Sequence, residues 1–385
     1  MSEIKVNSIK GVGASTAAIT ISNTDGTCTA NITNNLSNRN LIINGAMQVA
    51  QRGTSETGIT SSGYYTVDRF NLNTTDEATY TMEQSSDAPA GFKNSAKFTI
   101  TTADSSVAAD DYAACHYLVE GHDFAQLGFG ASGAKSFTLS FYVKSSQTGT
   151  FGLNFQNSAN NRTFDSSYTI SAANTWERKT ITIPPDTSGT WLTTNGIGLK
   201  IWWSFLVGST YEASSVSTAW ETTLGLGLNG QVQLSSITNA TWQITGVQLE
   251  VGSTATDFEH LSYSDTLAKS QRYFYLWKYP VRDAIFFFMR NAASSGFYGP
   301  PINLPTVMRK IDSVTYVNSG SWRIVKGGSY SITPGALFNS NVTEVSSFHL
   351  YFTWSGTSGS WDFIDIRSNE NNYTLLPTVQ IDGEL

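Results

Sequence analysis

Between residues 40 and 260, hydrophobic and polar positions alternate in one stretch after another. Phe137, Leu139, Phe141 and Val143 share a phase, as do Phe151, Leu153 and Phe155, and then Ile197, Leu199, Ile201, Trp203 and Phe205. A period of two sends successive side chains to opposite faces of a strand, so each stretch predicts a half-buried β-strand. Trp242 and Ile244 keep one phase, whereas Val247, Leu249 and Val251 keep the other. The change falls at Gly246, which predicts a β-bulge there. A long series of antiparallel strands with little helical periodicity predicts a double-sheet jelly roll over residues 38–261.

The alternation breaks at Ser262-Tyr263-Ser264-Asp265, which reads as a capping box opening a short helix. That helix is expected to run to about Trp277, with Tyr263, Leu267 and Phe274 near one face, and Pro280 closes the connector 262–280. It suits a trimer axis as well as a helix lying on a sheet. From 281 to 385 strands return. Phe348, Leu350, Phe352 and Trp354 alternate, and Asp362, Ile364 and Ile366 alternate again after Gly356 to Gly359, which reads as a hairpin within a second, smaller β-sandwich. The first 37 residues lack Trp, Tyr and Phe, and their short β-like fragments Ile4-Lys5-Val6 and Ala18 to Ile21 are separated by Gly11, Gly13 and Asp25-Gly26. With no aromatic side chain to fill a core, this segment either packs on another chain, as in an intertwined homotrimer or a virion anchor, or stays loose. The fold expected is all-β: jelly roll, short helix, smaller β-sandwich. No fixed repeat period is present, which argues against solenoids and propellers.

Composition supports that reading and narrows the function. Charged residues make up 14% of the 385, against about 25% in ordinary soluble domains. Ser, Thr, Asn and Gly supply the polarity instead, a mixture suited to strands and turns and poor for helices. A net charge of −7 and the lack of a basic stripe argue against nucleic acid as a partner. The polar N-terminus has no signal-peptide core, and the apolar run Ile285 to Met289 is too short to cross a bilayer, so membrane insertion is not expected. Cys28 and Cys115 allow one disulfide at most, which is no framework for a chain this long.

Candidate chemistry is sparse. The four histidines, His116, His122, His260 and His349, form no metal-binding helical pair, and CxxC, GxSxG and phosphate-loop motifs are absent. Cys115 and His116 are neighbours that a strand would point to opposite faces, against a nucleophile pair. Asp110-Asp111 and Glu120-Gly-His-Asp123 supply acids, but a glycosidase needs two carboxylates held across one bond; the bland reading is exposed loop acids, and no enzyme is expected. Aromatic residues are the stronger signal. Trp191, Trp202, Trp203, Tyr211 and Trp220 fall within thirty residues. Trp203 shares the core phase, whereas Trp202 shares that of Lys200 and Ser204 and is expected to face outward. Trp202, Tyr211 and Trp220 are the candidate ligand-binding residues, since a flat ring stacks on a pyranose. Burial in the core or in a subunit interface is the competing reading of the same residues.

A resemblance enters with three linked segments. Asn40-Leu-Ile-Ile-Asn-Gly to Gln51-Arg-Gly-Thr54, followed by Tyr65-Thr-Val-Asp-Arg-Phe70, resembles the opening of a widespread group of phage structural proteins. Trp242 to Gly252, Asp257-Phe-Glu-His260 and Ser270-Gln-Arg-Tyr-Phe274 are similar to the segment closing the same jelly roll, with Ser270 and Phe274 departing from that group's usual Cys and Tyr. Leu304-Pro-Thr-Val-Met-Arg309, Val314-Thr315 and Ile381-Asp-Gly-Glu-Leu385 resemble its C-terminal domain, and Ile4 to Ile9 resembles starts seen in marine and cyanobacterial phage virion proteins. The resemblance implies a tail-fibre or receptor-binding subunit, assembled in the host cytoplasm into the virion, usually a homotrimer, whose jelly roll resembles carbohydrate-binding modules and recognises a host-surface glycan. Residues 1–37 would then contact other virion proteins. Those modules often hold a structural calcium, whose matching positions here are Asn44 and Asp257. A capsid-bound fibre or decoration protein, or a glycan depolymerase, are the other readings.

Overall fold

The computed structural model describes residues 38–278 without a break, together with 296–317, 378–384 and short strands elsewhere. The jelly roll is built from eleven main strands. These are β1 (Ser55–Ile59), β2 (Phe70–Thr74), β3 (Thr79–Ser85), β4 (Ser95–Thr102), β5 (Tyr112–Glu120) and β6 (Phe137–Ser145). Then follow β7 (Gly149–Gln156), β8 (Thr163–Ile170), β9 (Glu177–Ile183), β10 (Ile197–Val207) and β11 (Thr241–Val251). One sheet runs β8-β7-β10-β5-β2 and the other β9-β6-β11-β4-β3-β1. The pairs are antiparallel throughout.

The inward phases meet between the sheets as expected. Phe141, Tyr168 and Trp203 interlock near ring centroid separations of 5.3 and 5.9 Å. The indole of Trp242 donates to the Tyr168 hydroxyl at 2.9 Å, so a buried donor finds a partner inside the core. Cys115 is an unpaired thiol in this core, where burial pushes its pKa up, while His116 points the other way. The register of β11 against β6 shifts between Thr245 and Gln248, and Gly246 sits at φ 61°. The bulge is where the phase change places it. A Cβ at Gly246 would lie 2.7 Å from the Phe92 ring and 2.9 Å from that of Tyr142, so only glycine fits.

After the jelly roll the sequence expectations need correction. The helix α2 spans Tyr263–Gln271, capped by Ser262, whose Oγ accepts from the Asp265 N–H at 3.1 Å; α1 is the single turn Gly121–Phe124. The predicted continuation to Trp277 is instead the strand Phe274–Lys278, because a run rich in aromatics pairs along Thr378–Asp382. The expected helix face is wrong too. Tyr263 is 56% exposed, while Thr266 and Ser270 are buried. The C-terminal module therefore begins before residue 281, with Phe274–Lys278, Thr378–Asp382 and Ser313–Val317 forming one three-stranded sheet. The turn of the hairpin expected around Gly356 lies outside the described residues, and the strands on either side of it do not pair with each other. Thr343–Thr353 pairs with Gly296–Lys310 and Thr333–Leu337, whereas Ile364–Ser368 pairs with Ile285–Phe287 and Trp322–Val325, in a different sheet. In the N-terminal segment Ser8–Ile9, Ile19–Ile21 and Cys28–Ala30 pair as a small antiparallel sheet; Ile4-Lys5-Val6 lies outside the described residues.

Candidate ligand-binding face

The outer face of the five-stranded sheet carries a transverse row. Asp165 on β8 pairs with Asn154 on β7, which pairs with Trp202 on β10, then His116 on β5 and Asn71 on β2. Directly opposed residues of an antiparallel ladder project to the same side, so the five side chains lie abreast on the face opposite the core. Trp202 does point away from the core, but the expectation of a solvent-facing ring is wrong. It is 6% exposed, because the segment 208–231 folds back over β10 as a strap and lays Tyr211, Leu224 and Leu226 against it. Tyr112 meets the indole edge-on at 5.8 Å, and the His116 ring lies 4.0 Å from it at 31°.

The three predicted ligand residues also do not form one surface. Tyr211 belongs to the strap beside Trp202. Trp220 is buried with the main core, packed against Trp191 at 5.0 Å and Phe164 at 5.6 Å, and its indole donates to the Pro184 carbonyl at 2.8 Å. Its place on a long connection, rather than on an alternating strand, hid this from the pattern.

What the row lacks is hydrogen-bond partners. The Trp202 Nε1, His116 Nε2, Gln156 Oε1 and Asn71 Oδ1 atoms are buried without one. Asn73 donates to His116 Nδ1 at 3.4 Å, which leaves the imidazole proton on Nε2. Burial first, and the Lys200 charge second, push the His116 pKa down to about 3, so the ring stays neutral at physiological pH. The remaining groups are committed. Gln156 donates to Asn154 Oδ1 at 2.7 Å and to the Gly225 carbonyl of the strap at 2.9 Å, and Asn154 donates to Asp165 at 2.5 Å. Burial, aided by the Glu221 charge, pushes Asp165 up to about 6. The sequence pointed to Trp202 but missed His116, Asn154, Gln156 and Asp165. Asn154 and Gln156 are legible as the polar phase of β7, but the register that lines them up is not.

The acids and metal positions read differently in the fold. Glu120 accepts from Arg272 Nε and Nη2 at 2.9 and 2.6 Å and from the Tyr273 hydroxyl at 2.5 Å, so it is no exposed loop acid. Asp111 accepts from the Ala108 N–H at 2.6 Å, a turn contact. Asn44, at φ 61°, spends its amide locally: Nδ2 donates to the Val49 and Asp68 carbonyls, and Oδ1 accepts from the Val49 N–H at 3.0 Å. Asp257 is exposed and offers its main-chain carbonyl to Arg39 and Gln248. Where residues 38–40 meet the end of the jelly roll, the Glu259 carboxylate accepts the N–H groups of Asn38, Arg39 and Asn40. Calcium needs six to eight free oxygens. The amide of Asn44 is spent, and no cluster of three or more His, Cys, Asp or Glu suits a metal among the described residues, so Asn44 and Asp257 do not assemble a calcium site.

The linked motif segments converge elsewhere, on the seam between jelly roll and C-terminal sheet. Arg69 is 1% exposed, stacks 3.6 Å over the Tyr273 ring, pairs with Glu384 and donates to the Leu118 carbonyl at 2.5 Å. Arg52 stacks 3.6 Å over Phe274 and pairs with Asp382 at 3.0 Å and Glu384 at 3.4 Å. Arg309 donates to the Gly383 and Glu384 carbonyls at 3.0 and 2.5 Å. Asp68 accepts from the Gln51 main chain at 2.9 Å, and burial pushes its pKa up to about 6.

No protein-family model and no curated protein sequence match this chain. Several solved structures are similar to it at low identity. An enzymatically active tailspike domain from bacteriophage CBA120 is 13% identical with a TM-score of 0.31, over 55% of this chain and 21% of that one. A candidate sugar-binding protein from Bacteroides thetaiotaomicron is 13% identical with a TM-score of 0.29, over 55% of this chain and 99% of that one. A family 11 carbohydrate-binding module from Clostridium thermocellum, in complex with a β-1,3-1,4-mixed-linked tetrasaccharide, is 12% identical with a TM-score of 0.26, over 54% and 98%.

Proposed function

We propose that this chain is a bacteriophage virion subunit of the tail-fibre or receptor-binding type, holding a host-surface glycan on the outer face of its five-stranded sheet without cleaving it. The observation that carries the glycan reading is the row Asp165, Asn154, Trp202, His116, Asn71, with the unpartnered Trp202 Nε1, His116 Nε2 and Gln156 Oε1 among and beside it. Two unmet donors and two unmet acceptors lie at and beside the indole, Asn71 Oδ1 being the second acceptor. Sugar hydroxyls both donate and accept, and a pyranose lays its apolar side on such a ring. The strap 208–231 has to lift from Trp202 for a glycan to reach the row. The virion reading is supported by the linked segments Asn40–Thr54, Tyr65–Phe70, Ser270–Phe274 and Ile381–Leu385, whose residues meet at one joint. On this reading the subunit is a homotrimer and residues 1–37 anchor it.

The non-catalytic reading rests on the acids. Asp165 is held by Asn154 and sealed under the strap, where a Cβ at Gly225 would meet its carboxylate at 2.3 Å. Glu120 is saturated by Arg272 and Tyr273. Neither offers the pair of free carboxylates that glycoside hydrolysis needs. A capsid-bound fibre or decoration protein uses the same modules at another anchor, and locating the chain by electron cryo-microscopy of particles separates the two. The binding test is a glycan array probed with full-length protein. Retention of host-envelope glycans, undegraded on recovery, supports the proposal; glycan fragments on recovery favour the depolymerase, and no retention overturns the glycan reading.

A further inference from the structure

A second concave site lies away from the sheet face. A cleft of about 500 Å³ opens where three segments meet: Asn38 to Ile43, the turn Glu120 to Gln126, and Lys269 to Tyr273 at the end of α2. That volume is within the roughly 300–1,000 Å³ range of small-molecule sites. One wall is set by the Glu120–Arg272–Tyr273 contacts, in which both carboxylate oxygens are occupied. This wall is scaffold with nothing left to bind.

Asn40 is committed as well, its amide donating to the Val247 carbonyl at 3.1 Å and accepting from the Ile42 and Leu249 N–H groups, whereas the other polar lining groups are largely free. The side chains of Asn38, His122, Asp123 and Lys269 make no hydrogen bond or ion pair to another residue among the described contacts. Gln126 gives its Nε2 to the Asp123 carbonyl at 3.3 Å and keeps its Oε1 free. Lys269 supplies donors, Asp123 supplies acceptors, and the amides supply both. The lining charges balance, Lys269 and Arg272 against Asp123 and Glu120, so the cleft selects for neither an anion nor a cation. Half-buried Ile43 adds an apolar strip along the first segment, with only the edge of Leu41 beside it, since Leu41 is 7% exposed and belongs to the main core. Balanced donors and acceptors beside an apolar strip match a hydroxyl-rich ring with one C–H face.

The geometry points to this cleft as a second saccharide subsite, taking an uncharged mono- or disaccharide unit between Lys269 and Asp123, with its ring against Ile43 and the edge of Leu41. It is independent of the sheet face: none of its lining residues belongs to the row or the strap. It joins the jelly roll to α2, so a ligand there touches both the recognition module and the joint.

The test uses the full chain and saturation-transfer NMR at pH 7, with methyl α-D-glucopyranoside, methyl β-D-galactopyranoside, D-glucuronate and D-glucosamine as probes. A neutral glycoside is expected to bind, and Lys269→Met and Asp123→Asn are each expected to weaken it about tenfold, the loss of one charged hydrogen bond. Both residues lie at the surface, and an unchanged Tm verifies the fold. Trp202→Phe is expected to leave this binding untouched, which separates the cleft from the sheet face. No binding of either neutral glycoside, tighter binding of a charged sugar, or full binding by both cleft variants overturns the proposal.

Discussion

Arg69 at the seam and Trp202 under the strap are both almost fully buried, at 1% and 6% exposure. The guanidinium of Arg69 has an aromatic face, a carboxylate and a main-chain carbonyl around it, drawn from Tyr273, Glu384 and Leu118. The indole N–H of Trp202 has no partner. A buried charge is tolerated when its surroundings are built for it, whereas orphaned buried polar atoms need an explanation, and a group of them on one face more so than a single one such as Trp203 Nε1 in the core. At the seam the charge is met within the folded chain, although Arg69 Nε itself has no partner. On the sheet face the unpartnered atoms gather, at Trp202, His116, Gln156 and Asn71, and that difference separates the residues that hold this protein together from those left to meet something else.

The comparison is broken most severely at the seam. Arg69→Met leaves the buried Glu384 carboxylate with only the longer Arg52 pair at 3.4 Å, and a loss of about 3–5 kcal/mol is expected from urea unfolding. The C-terminal module is expected to become protease-sensitive first, since Arg69 and Arg52 both reach into it. A loss below 1 kcal/mol indicates a seam far looser than its contacts imply. Trp202→Ala empties the space under the strap and is expected to cost about 3 kcal/mol, the lower part of the range for large aromatic truncations. An unchanged Tm shows that the strap does not pack on the ring.

A pH series sharpens the contrast. Asp68 at the seam and Asp165 on the face each have a folded pKa of about 6, above the ordinary carboxylate value, because of burial. The folded state therefore holds these protons more tightly than the unfolded chain. Their contribution to stability falls as pH rises from about 4 to 6 and is level above. Asp165→Asn is expected to flatten that fall and raise Tm at pH 7 but not at pH 4, read by thermal melts across the series. The smallest effect belongs to Trp202→Phe. It keeps an aromatic ring and removes only an unpartnered N–H, so stability is expected to change by less than about 1 kcal/mol. Trp242→Phe, which breaks the 2.9 Å bond to Tyr168, is expected to cost more.

Much of the fold was readable in the sequence. Period-two stretches gave the sheets, and the phase change at Gly246 gave the bulge, because both depend on nearest neighbours along one strand. The end of α2 and the hairpin near Gly356 were misread, because Phe274–Lys278 and Ile364–Ser368 take partners more than thirty residues distant. The outward phase of Trp202 was correct, but phase says nothing of what folds over a face, and the strap that buries the ring is an irregular connection. The linked motifs were legible as a set. Their role was not, since Arg69 meets Glu384 across 315 positions of chain.

The most direct test is affinity for purified host-envelope polysaccharide, measured by biolayer interferometry for wild type, Trp202→Phe combined with His116→Phe, and Arg69→Met assayed below its Tm. The double variant loses both unmet donors of the row while keeping its aromatic rings. It is expected to bind at least about tenfold more weakly with little change in Tm, whereas Arg69→Met loses stability and keeps its affinity. Wild-type affinity in the double variant would contradict the sheet face as the ligand site.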